Sequence, residues 1–474
     1  MLFSSTVFIY LFLPFTLTVY YLLLKKSRTL QNVFLLIASL VFYAWGEPKF
    51  VLVMLASIFV NWFFGILVDK YKKCGNISLA KASLAAACVL DLSLLFVFKY
   101  LNFTEAVLCS ALDISPRIAQ IALPIGISFF TFQAMSYVID VYRDKGEMQK
   151  NILNVGLYIA FFPQLIAGPI VRYETVAHEI LNRRETLEDF ASGFARFVIG
   201  LGKKVLLANT FGILADKGFD MCAAGKEISV MFGWLCAIGY TFQIFFDFSG
   251  YSDMAIGLGR MFGFHFLENF NYPYISATVS EFWRRWHMSL GSWFRDYVYI
   301  PLGGSRVKKA RLVFNLFAVW LLTGIWHGAN WTFVVWGVMY FVLLALEKVL
   351  GLKSEGGKIA GVFKWLYTMF FVIIGWVIFR ADSLNIAFTY IKSMLGLAGN
   401  SFADGMFAGY LCQNAVMLTI GALCSVPIFK TVAKRIKQNL FTDIIYVCAL
   451  AVIFVISISS LVSSSYNPFI YFNF

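Results

Sequence analysis

Long apolar runs alternate with short clusters of basic residues along the whole chain. Most of these runs have the length of roughly 20 residues that an α-helix needs to cross a lipid bilayer. Because the bilayer interior offers no water as a hydrogen-bond partner, the backbone of such a run must satisfy itself, as a helix does. The pattern therefore predicts an all-α polytopic membrane protein.

The first five runs and the charges between them predict an orientation. Basic residues concentrate in cytoplasmic loops, and Lys25, Lys26 and Arg28 follow the first run. That run has no basic segment before it and is too long for a secretion signal, so we expect it to remain as a span with the N-terminus outside. The five predicted spans lie at about 6–24, 30–45, 50–69, 82–101 and 119–142.

The run at 152–170 is interrupted by Pro163, Gly168 and Pro169. Irregular backbone at membrane depth is tolerated only where protein or a water-filled cavity surrounds it. The run is predicted to be either a re-entrant or broken helix at the wall of a tunnel, or a span kinked by proline. Further spans are predicted near 190–212, 228–248, 312–326, from 331 onward, and near 360–380, 406–428 and 442–462.

The amino-acid composition supports the class of membrane proteins and reduces the number of functions to consider. Hydrophobic residues make up 60% of the 474 residues, charged residues 14%, and the mean hydropathy is +0.75, whereas soluble domains contain roughly 25% charged residues. The net charge of +13 lies in short loops and not in an aromatic-interleaved basic patch, so no nucleic-acid partner is predicted. The eight cysteines are scattered singly, and neither a metal site nor a bound cofactor is predicted.

Several ionisable residues lie inside predicted spans. Lys203 and Lys204 interrupt one of them, and we expect them to snorkel to the lipid headgroups. Asp247 and Asp253 lie in the strongly aromatic segment 240–266, where a carboxylate is costly unless it pairs with a cation or serves function. A structural ion pair is favoured for them, and direct chemistry is the alternative.

The stretch 281–331 holds two of the four histidines, each directly after a tryptophan. Residues 281–296 are predicted to form one interfacial helix, on which His287 shares a face with Trp283. His287 is then either solvated at the interface or turned into a groove of small residues. His327 ends an apolar run, and its imidazole is suited to accept a hydroxyl proton. The structural alternative is donation to a backbone carbonyl.

Seven strings in the chain resemble the membrane-bound O-acyltransferase family. They are EFWRRWHMSLGSWFRDYVYIPLGG at 281–304, WLLTGIWHGANWTFVVWG at 320–337, FYAWGEP at 42–48, LPIGISFFTFQ at 123–133, FFPQLIAGPI at 161–170, FDFSGYSDMAIGLG at 246–259 and GWVIFRADS at 375–383. The nearest branch contains the membrane subunit of bacterial alginate O-acetyltransferase and its peptidoglycan relatives. Strings of this length are not produced by generic span composition.

The resemblance implies one integral-membrane domain over 1–474. It implies roughly eleven to thirteen membrane helices, plus re-entrant and interfacial helices, around a central tunnel. The family's catalytic histidine matches His327, and His287 matches a second motif position, so 281–331 becomes the catalytic core. Asn330 or a nearby indole N–H is expected to stabilise the oxyanion. The candidate substrate or tunnel residues are Trp326, Asn330, Trp283, Arg285, Asp296 and Asp247.

The resemblance also implies a function at the bacterial cytoplasmic membrane. An acyl group is expected to pass from acetyl-CoA or another cytoplasmic acyl thioester to an extracytoplasmic SGNH-hydrolase-like transferase. An envelope polysaccharide is the expected final acceptor. The length of the chain and its C-terminal spans resemble this branch more than the shorter teichoic-acid D-alanylation branch, which favours acetyl as the acyl group.

The C-terminal tail, 463–474, is expected to reach the outer face after the last span. It ends in FIYFNF, which has the pattern F-x-Y-x-x-F. This pattern is similar to a C-terminal motif of partner microproteins and of some family members, whose tyrosine is proposed to carry the acyl group. Tyr471 is therefore predicted to be a nucleophilic acyl relay assisted by His327, with an aromatic interface anchor as the alternative.

Two other classes remain open from the residues. A polysaccharide or lipid transporter would use intramembrane carboxylates such as Asp91, Asp247 and Asp253 for coupling, although the chain shows no internal repeat. A non-catalytic subunit of an envelope-modification complex is the other. Replacement of His327 separates them, because only an enzyme would lose polymer acylation while its expression stays normal.

Overall fold

The computed structural model describes residues 1–352, 358–437, 439–464 and 466–470. Within these residues the regular secondary structure is helical, without a strand. The predicted all-α class is confirmed.

The helices are numbered in chain order. Up to residue 223 they are α1 (Phe8–Leu23), α2 (Arg28–Ala44), α3 (Val51–Lys73), α4 (Ile77–Leu112), α5 (Ile127–Tyr142), α6 (Ile152–Ala160), α7 (Phe162–Leu165), α8 (Tyr173–Asn182) and α9 (Leu187–Ala223). From residue 230 they are α10 (Val230–Met261), α11 (Val279–Arg285), α12 (Met288–Phe294), α13 (Lys309–His327), α14 (Trp331–Leu350), α15 (Lys358–Arg380), α16 (Leu384–Met394), α17 (Gly405–Cys424), α18 (Ile428–Arg435) and α19 (Leu440–Ser463).

Nine of the described helices are long and apolar enough to cross a membrane. They are α3, α4, α9, α10, α13, α14, α15, α17 and α19. The apolar helices α1 and α2 are shorter than these nine. The number of spans, roughly eleven to thirteen, stays a prediction.

One predicted span begins later than expected. The helix predicted from residue 119 starts at Ile127, because Gly126 precedes it with φ +76° and Pro124 lies just before. Glycine adopts this left-handed conformation without strain, and it ends the irregular segment that leads into α5. With 16 residues, α5 is shorter than the roughly 20 that a simple span needs.

The run at 152–170 is broken and not merely kinked. α6 ends at Ala160, Phe161 is extended with φ −56° and ψ 114°, and α7 is a single turn. All residues from 154 to 173 are buried. The irregular backbone is therefore surrounded by protein, which is the condition under which it is tolerated in a membrane. The broken-helix alternative is confirmed, and its place at a tunnel wall stays a prediction.

The chain divides into two compact units. The first comprises 1–200 and 251–267, and the second comprises 201–250 and 268–474. The second unit contains every residue of the predicted catalytic stretch.

In the first unit, α3 packs against α4 and α5. A Cβ atom on Gly65 would lie 2.7 Å from Cε1 of Tyr137, so glycine is needed for the ring of α5 to approach α3. The polar centre of this unit is a cluster in which Tyr20 and Arg28 both donate to Glu185. These contacts fix the unit without contributing a predicted catalytic residue.

The second unit is built around the hairpin of α13 and α14. A Cβ atom on Gly324 would lie 2.4 Å from the Phe333 carbonyl oxygen, and one on Gly337 would lie 2.5 Å from the Trp320 carbonyl oxygen. Small residues allow membrane helices to approach this closely. The contact places the end of α13, with His327, beside the first turns of α14.

Gly324→Ala is expected to destabilise the protein, because the new methyl group would overlap a backbone carbonyl that cannot rotate away. Overpacking of this kind typically costs about 1–3 kcal/mol. The measurement is the thermal unfolding midpoint of the detergent-purified protein, followed by fluorescence-detected size-exclusion chromatography. Gly361→Ala in α15 is the control, since nothing lies within 4 Å of its Cβ position, and its midpoint should stay equal or rise. Equal losses in both variants would contradict the prediction.

Candidate active site

The helix predicted over 281–296 is interrupted at its centre. α11 ends at Arg285, Trp286 is extended with φ −103° and ψ 131°, and His287 is left-handed with φ +45° and ψ 52°. The prediction of one continuous helix, with His287 on the face of Trp283, is therefore wrong. A non-glycine residue in this conformation costs of order 1–3 kcal/mol and persists only where its surroundings hold it.

Asn269 holds this interruption in place. Its carbonyl oxygen accepts the Met288 N–H at 2.9 Å, and its Oδ1 accepts the Ser289 N–H at 3.2 Å and the Ser289 hydroxyl at 2.9 Å. The same Oδ1 lies 3.2 Å from Nδ1 of His287. Because an amide oxygen only accepts, Nδ1 carries the proton and Nε2 keeps its lone pair. The imidazole is thus set in the tautomer that can accept a hydrogen bond or a proton at Nε2.

A cavity of about 890 Å³ opens beside His287. The imidazole is buried, and its Nε2 has no hydrogen-bond partner among the described residues. Indole rings and basic side chains together line the cavity, namely Trp283, Trp286, Trp320, Arg284, Arg295 and Lys348. The cavity therefore combines an apolar wall with positive charge.

The cavity lies along the α13–α14 hairpin. Its lining residues run from Leu316 to Thr323 on α13 and from Leu344 to Lys348 on α14. These positions are the middle of α13, which runs from Lys309 to His327, and the end of α14. Thr323 precedes His327 by about one helical turn, roughly 6 Å. The lining of the cavity thus comes within one helical turn of His327.

His327 is the last residue of α13 and is 6% exposed. Three rings pack edge-on against its imidazole: Trp326, Trp336 and Phe379, with centroids 5.0, 5.2 and 5.2 Å away. Trp326 also contacts His287, with ring centroids 6.1 Å apart. One indole therefore touches both predicted catalytic imidazoles. Of the two, His287 lines the cavity that the described residues form.

Several buried donors in this unit have no hydrogen-bond partner among the described residues, and three of them have rings in mutual contact near His327. They are Trp283 Nε1, Trp336 Nε1 and the Tyr340 hydroxyl. Their rings contact one another, with centroids 5.4 Å apart for Trp283 and Trp336, 4.8 Å for Trp283 and Tyr340, and 5.1 Å for Trp336 and Tyr340. Buried polar groups are nearly always paired, so these donors are suited to receive a carbonyl oxygen or an oxyanion. We name them the donor cluster.

Sequence reasoning did not single out Trp336 and Tyr340. Both lie in the apolar run that opens at Trp331, where indole and phenol rings are ordinary packing residues. Their separation by four positions puts them on one face of α14. That spacing was the available signal, but only the contact with Trp283 shows that three donors meet.

Asn330 is engaged in the turn between α13 and α14. Its Oδ1 accepts the Thr332 N–H at 3.1 Å and caps α14, while its Nδ2 donates to the Asp382 carbonyl at 2.9 Å. The side chain therefore shapes the backbone that follows His327. Of the two kinds of oxyanion donor expected from the sequence, the indole N–H is the one that the contacts favour.

Arg285 and Asp296 are held in local ion pairs. Arg285 pairs with Glu281 one turn earlier at 2.8 Å, and Asp296 pairs with the neighbouring Arg295 at 2.7 Å. Among the described residues that form the cavity, Trp283 and Arg295 are present, whereas Arg285 and Asp296 are not. The structure thus brings one of these three predicted tunnel residues, Trp283, to the cavity.

Asp247 forms a buried ion pair with Lys204. The Asp247 Oδ1 and Lys204 Nζ atoms are 2.7 Å apart, and the two side chains are 2% and 3% exposed. The favoured ion-pair role of Asp247 is confirmed, and the same holds for Asp253, which pairs with Arg196 at 2.8 Å. The prediction that Lys204 snorkels is wrong, because its charge is neutralised inside the protein. Tyr471 lies outside the described residues.

Glu347 connects α14 to the start of α11. Its carboxylate accepts the Val279 N–H at 2.6 Å and the N–H and hydroxyl of Ser280 at 2.8 and 2.6 Å. A carboxylate at a helix N-terminus satisfies free N–H groups and is favoured by the helix dipole. This buried contact fixes the helix that carries Trp283 to the helix that carries Trp336. No local pattern in the sequence indicates it.

The chain is similar to known membrane acyltransferases. Residues 91–388 match the model of MBOAT, the membrane-bound O-acyltransferase family. The probable alginate O-acetylase AlgI of Pseudomonas aeruginosa is 44% identical over 427 residues, which cover 89% of this chain and 79% of that protein. The peptidoglycan O-acetyltransferase of Helicobacter pylori is 31% identical over 100% of this chain and 98% of that protein. The teichoic acid D-alanyltransferase of Bacillus subtilis is 29% identical over 55% of this chain and 69% of that protein.

His287, which lies outside the membrane-spanning helices, predicts a pH effect on stability. Burial lowers the pKa of its imidazole to about 3, whereas an unfolded histidine titrates near pH 6.5. Below about pH 6.5 the unfolded chain takes up a proton that the folded chain refuses, so the free energy of unfolding falls by up to about 1.4 kcal/mol per pH unit. We expect His287→Asn, in which asparagine tolerates the left-handed conformation, to lose this part of the acid sensitivity.

The measurement is the thermal midpoint at pH 7.5 and at pH 5.5 in detergent. His178→Asn replaces an exposed histidine and should keep the full difference between the two pH values. If His287→Asn shows the same difference as the unmodified protein, His287 does not make the expected contribution.

Proposed function

The chain belongs to the membrane-bound O-acyltransferase family, and we propose that it passes an acetyl group from a cytoplasmic thioester toward a cell-envelope polysaccharide. The observation that carries this proposal is the contact of His327 with Trp336 of the donor cluster, one helical turn beyond a cavity that is lined by indole rings and basic side chains. Acetyl is favoured over D-alanyl because the relatives named as O-acetyl enzymes align with 89% and 100% of the chain, and the D-alanyl relative with 55%.

The cavity is proposed to receive the acyl donor. Basic residues mark cytoplasmic loops, and the basic connector 306–311 precedes α13, which contributes Leu316, Trp320 and Thr323 to the cavity. Arg284, Arg295 and Lys348 suit the phosphate groups of coenzyme A or of a phosphopantetheine carrier arm. The tryptophans further along suit the apolar part of the arm.

His327 is proposed to act as the general base. A hydroxyl oxygen attacks the thioester carbonyl carbon, the carbon–sulfur bond breaks, and an oxygen ester forms. His327 takes the hydroxyl proton and returns it to the departing thiolate, so the imidazole is unchanged after each transfer. A thioester is already an activated acyl group, and the remaining requirement is a site for the negative charge that develops on the carbonyl oxygen.

The donor cluster is proposed to meet that requirement. The Trp336 ring is 5.2 Å from the His327 ring, and its N–H is one of several buried donors without a partner among the described residues. Fixed donors in a site without water stabilise an oxyanion strongly because they need no reorientation during the reaction. Trp336 is therefore the first candidate, with Trp283 and Tyr340 beside it.

His287 is proposed to hold the donor and not to replace His327 as the base. This residue lines the cavity, and its Nε2 has no hydrogen-bond partner among the described residues, so it can accept a hydrogen bond from an amide N–H of a pantetheine arm. The low pKa that burial gives this imidazole makes it a poor proton acceptor. The conformation held by Asn269 sets the direction of this hydrogen bond.

Tyr471 is proposed to receive the acetyl group first. Its phenol would take the acetyl group from the thioester with release of the thiol, and a hydroxyl of an extracytoplasmic SGNH-hydrolase-like transferase would then take it from the phenol. This relay rests on the F-x-Y-x-x-F motif. The burial of the preceding residues Phe469 and Ile470, which are 3% and 7% exposed, supports a role inside the protein over an anchor at the lipid surface.

His327→Ala is expected to suppress transfer of the acetyl group from the thioester and therefore acetylation of the polymer. A general base contributes about 10²–10⁴-fold to the rate, so O-acetylation of the envelope polysaccharide in cells should fall at least 100-fold while expression stays normal. In purified protein supplied with the thioester donor, mass spectrometry should find an acetyl adduct on Tyr471, and the adduct should be missing in His327→Ala. His178→Ala, which changes an exposed histidine, is the control. Unchanged acetylation in His327→Ala would refute the assignment of the base.

Trp336→Phe is expected to lower kcat with little change in KM, because phenylalanine keeps the ring and removes the N–H. Loss of one oxyanion donor costs about 10²–10³-fold in kcat. The measurement is the rate of thiol release from the thioester in detergent, together with the unfolding midpoint. Trp45→Phe, at an indole that is 61% exposed, should leave the rate unchanged. A rise in KM at constant kcat would assign Trp336 to binding instead.

A further inference from the structure

The C-terminal segment 466–470 is buried at its end, although the helix that leads to it is not. Most side chains of α19 are exposed, with Ser457 the buried residue of that helix. Phe469 and Ile470 are nearly fully buried. The helix itself therefore does not hold the segment in place, and specific contacts must do so.

Lys204 provides the first of these contacts. Its ammonium donates to the Pro468 carbonyl and to Asn209 Oδ1 at 2.9 Å, and it lies 2.7 Å from Asp247 Oδ1. An ammonium has three donor hydrogens, so the Pro468 carbonyl supplies the third acceptor. Lys204 lies in a π-helical turn of α9, Lys203–Ala208, and such turns occur frequently at functional sites.

Asp247 provides the matching contact. Its Oδ2 accepts the Ile470 N–H at 2.9 Å, while its Oδ1 faces Lys204. The segment thus gives one acceptor to the buried cation and one donor to the buried anion. A buried ion pair is favourable only when its remaining hydrogen-bonding groups are satisfied. The pair is complete when the segment is in place.

Two neighbouring contacts fix the segment before these residues. Asn209 Nδ2 donates to the Tyr466 carbonyl at 3.3 Å, and the Tyr466 hydroxyl donates to Asp216. A Cβ atom on Gly212 would lie 2.6 Å from that hydroxyl oxygen, so glycine leaves the room that the phenol needs. The contacts follow the backbone of the segment from residue 466 to residue 470.

We infer that Lys204 and Asp247 form a receptor for the C-terminal segment of this chain and set its position in the second unit. This receptor binds two main-chain groups that are two residues apart, the Pro468 carbonyl and the Ile470 N–H. Phe248, the next residue of α10, contacts the His287 ring edge-on with centroids 4.6 Å apart. The receptor therefore lies next to the contact between α10 and His287 in the candidate active site.

The consequence for catalysis rests on the proposed function. Tyr471 directly follows Ile470, so Lys204 and Asp247 become positioning residues for the acyl relay. They touch neither the donor nor the reacting atoms in this proposal. Docking of the segment and transfer of the acetyl group can then be measured separately.

The test measures release of the segment by cysteine labelling. The parent protein carries Ile470→Cys in a background in which the exposed Cys74, Cys412 and Cys448 are replaced by serine, and it reacts with N-ethylmaleimide in detergent. The background without Ile470→Cys is subtracted. The backbone N–H that Asp247 accepts is kept in the cysteine variant.

The test variant is Lys204→Met/Asp247→Leu, because replacing both charges leaves no unpaired ion in the interior. Labelling is expected to become at least 10-fold faster while the protein stays monodisperse in size-exclusion chromatography. Asp91→Asn is the control, since it changes a buried carboxyl that accepts from Asn61 in the first unit, and its labelling should match the parent. An unchanged rate in the folded double variant would overturn the receptor.

Polymer acetylation in the same cells distinguishes this inference from the relay. If Tyr471→Phe keeps acetylation while the double variant releases the segment, the receptor is supported and the relay fails. If Tyr471→Phe abolishes acetylation while the double variant is labelled at the parent rate, the receptor is overturned and the relay stands.

Discussion

Buried polar groups in a membrane protein have to find partners inside the protein, because lipid offers none. In the second unit, the Glu347 carboxylate takes the free N–H groups of α11, Asn269 takes those at the start of α12, and Asp247 faces Lys204. Among the described residues the requirement is unmet at several buried groups, and the donor cluster and Nε2 of His287 are among them. The cluster and His287 are contiguous through their ring contacts, and they lie beside a cavity. The polar atoms of a bound thioester would give these groups the hydrogen-bond partners that they lack.

Rigid backbone holds these groups where they are. The contact between Gly324 and Gly337 fixes α13 against α14, and Glu347 fixes α11 to α14. The left-handed His287 is held by Asn269 and is not free to join the helix that its neighbours would form. A site supported in this way keeps its donors oriented before substrate arrives, which is the condition under which electrostatic stabilisation is most effective.

The helical class and most spans could be predicted because they depend on local patterns of hydropathy and charge. The break at His287 could not, since it depends on Asn269, which is eighteen positions earlier in the chain and reaches it only in the folded protein. Lys204 was misjudged for the same reason, because its partner Asp247 lies on another helix. His327 was predicted from its setting and from the family motif, and its catalytic role stays a prediction. Trp336 was not among the predicted residues, because an unpaired N–H becomes visible only when all neighbours of a ring are known.

The positions of charge along the hairpin explain why an acyl relay would be useful. A thioester carrier bears phosphates, and moving such charges across the hydrocarbon region is costly. The basic residues that line the cavity would hold the carrier there, so that only its acyl end would need to reach His327. An acceptor on the opposite side of the membrane then needs a group of the protein that reaches the same imidazole. The C-terminal segment, held by its backbone between Lys204 and Asp247, has the fixed position that such a group requires.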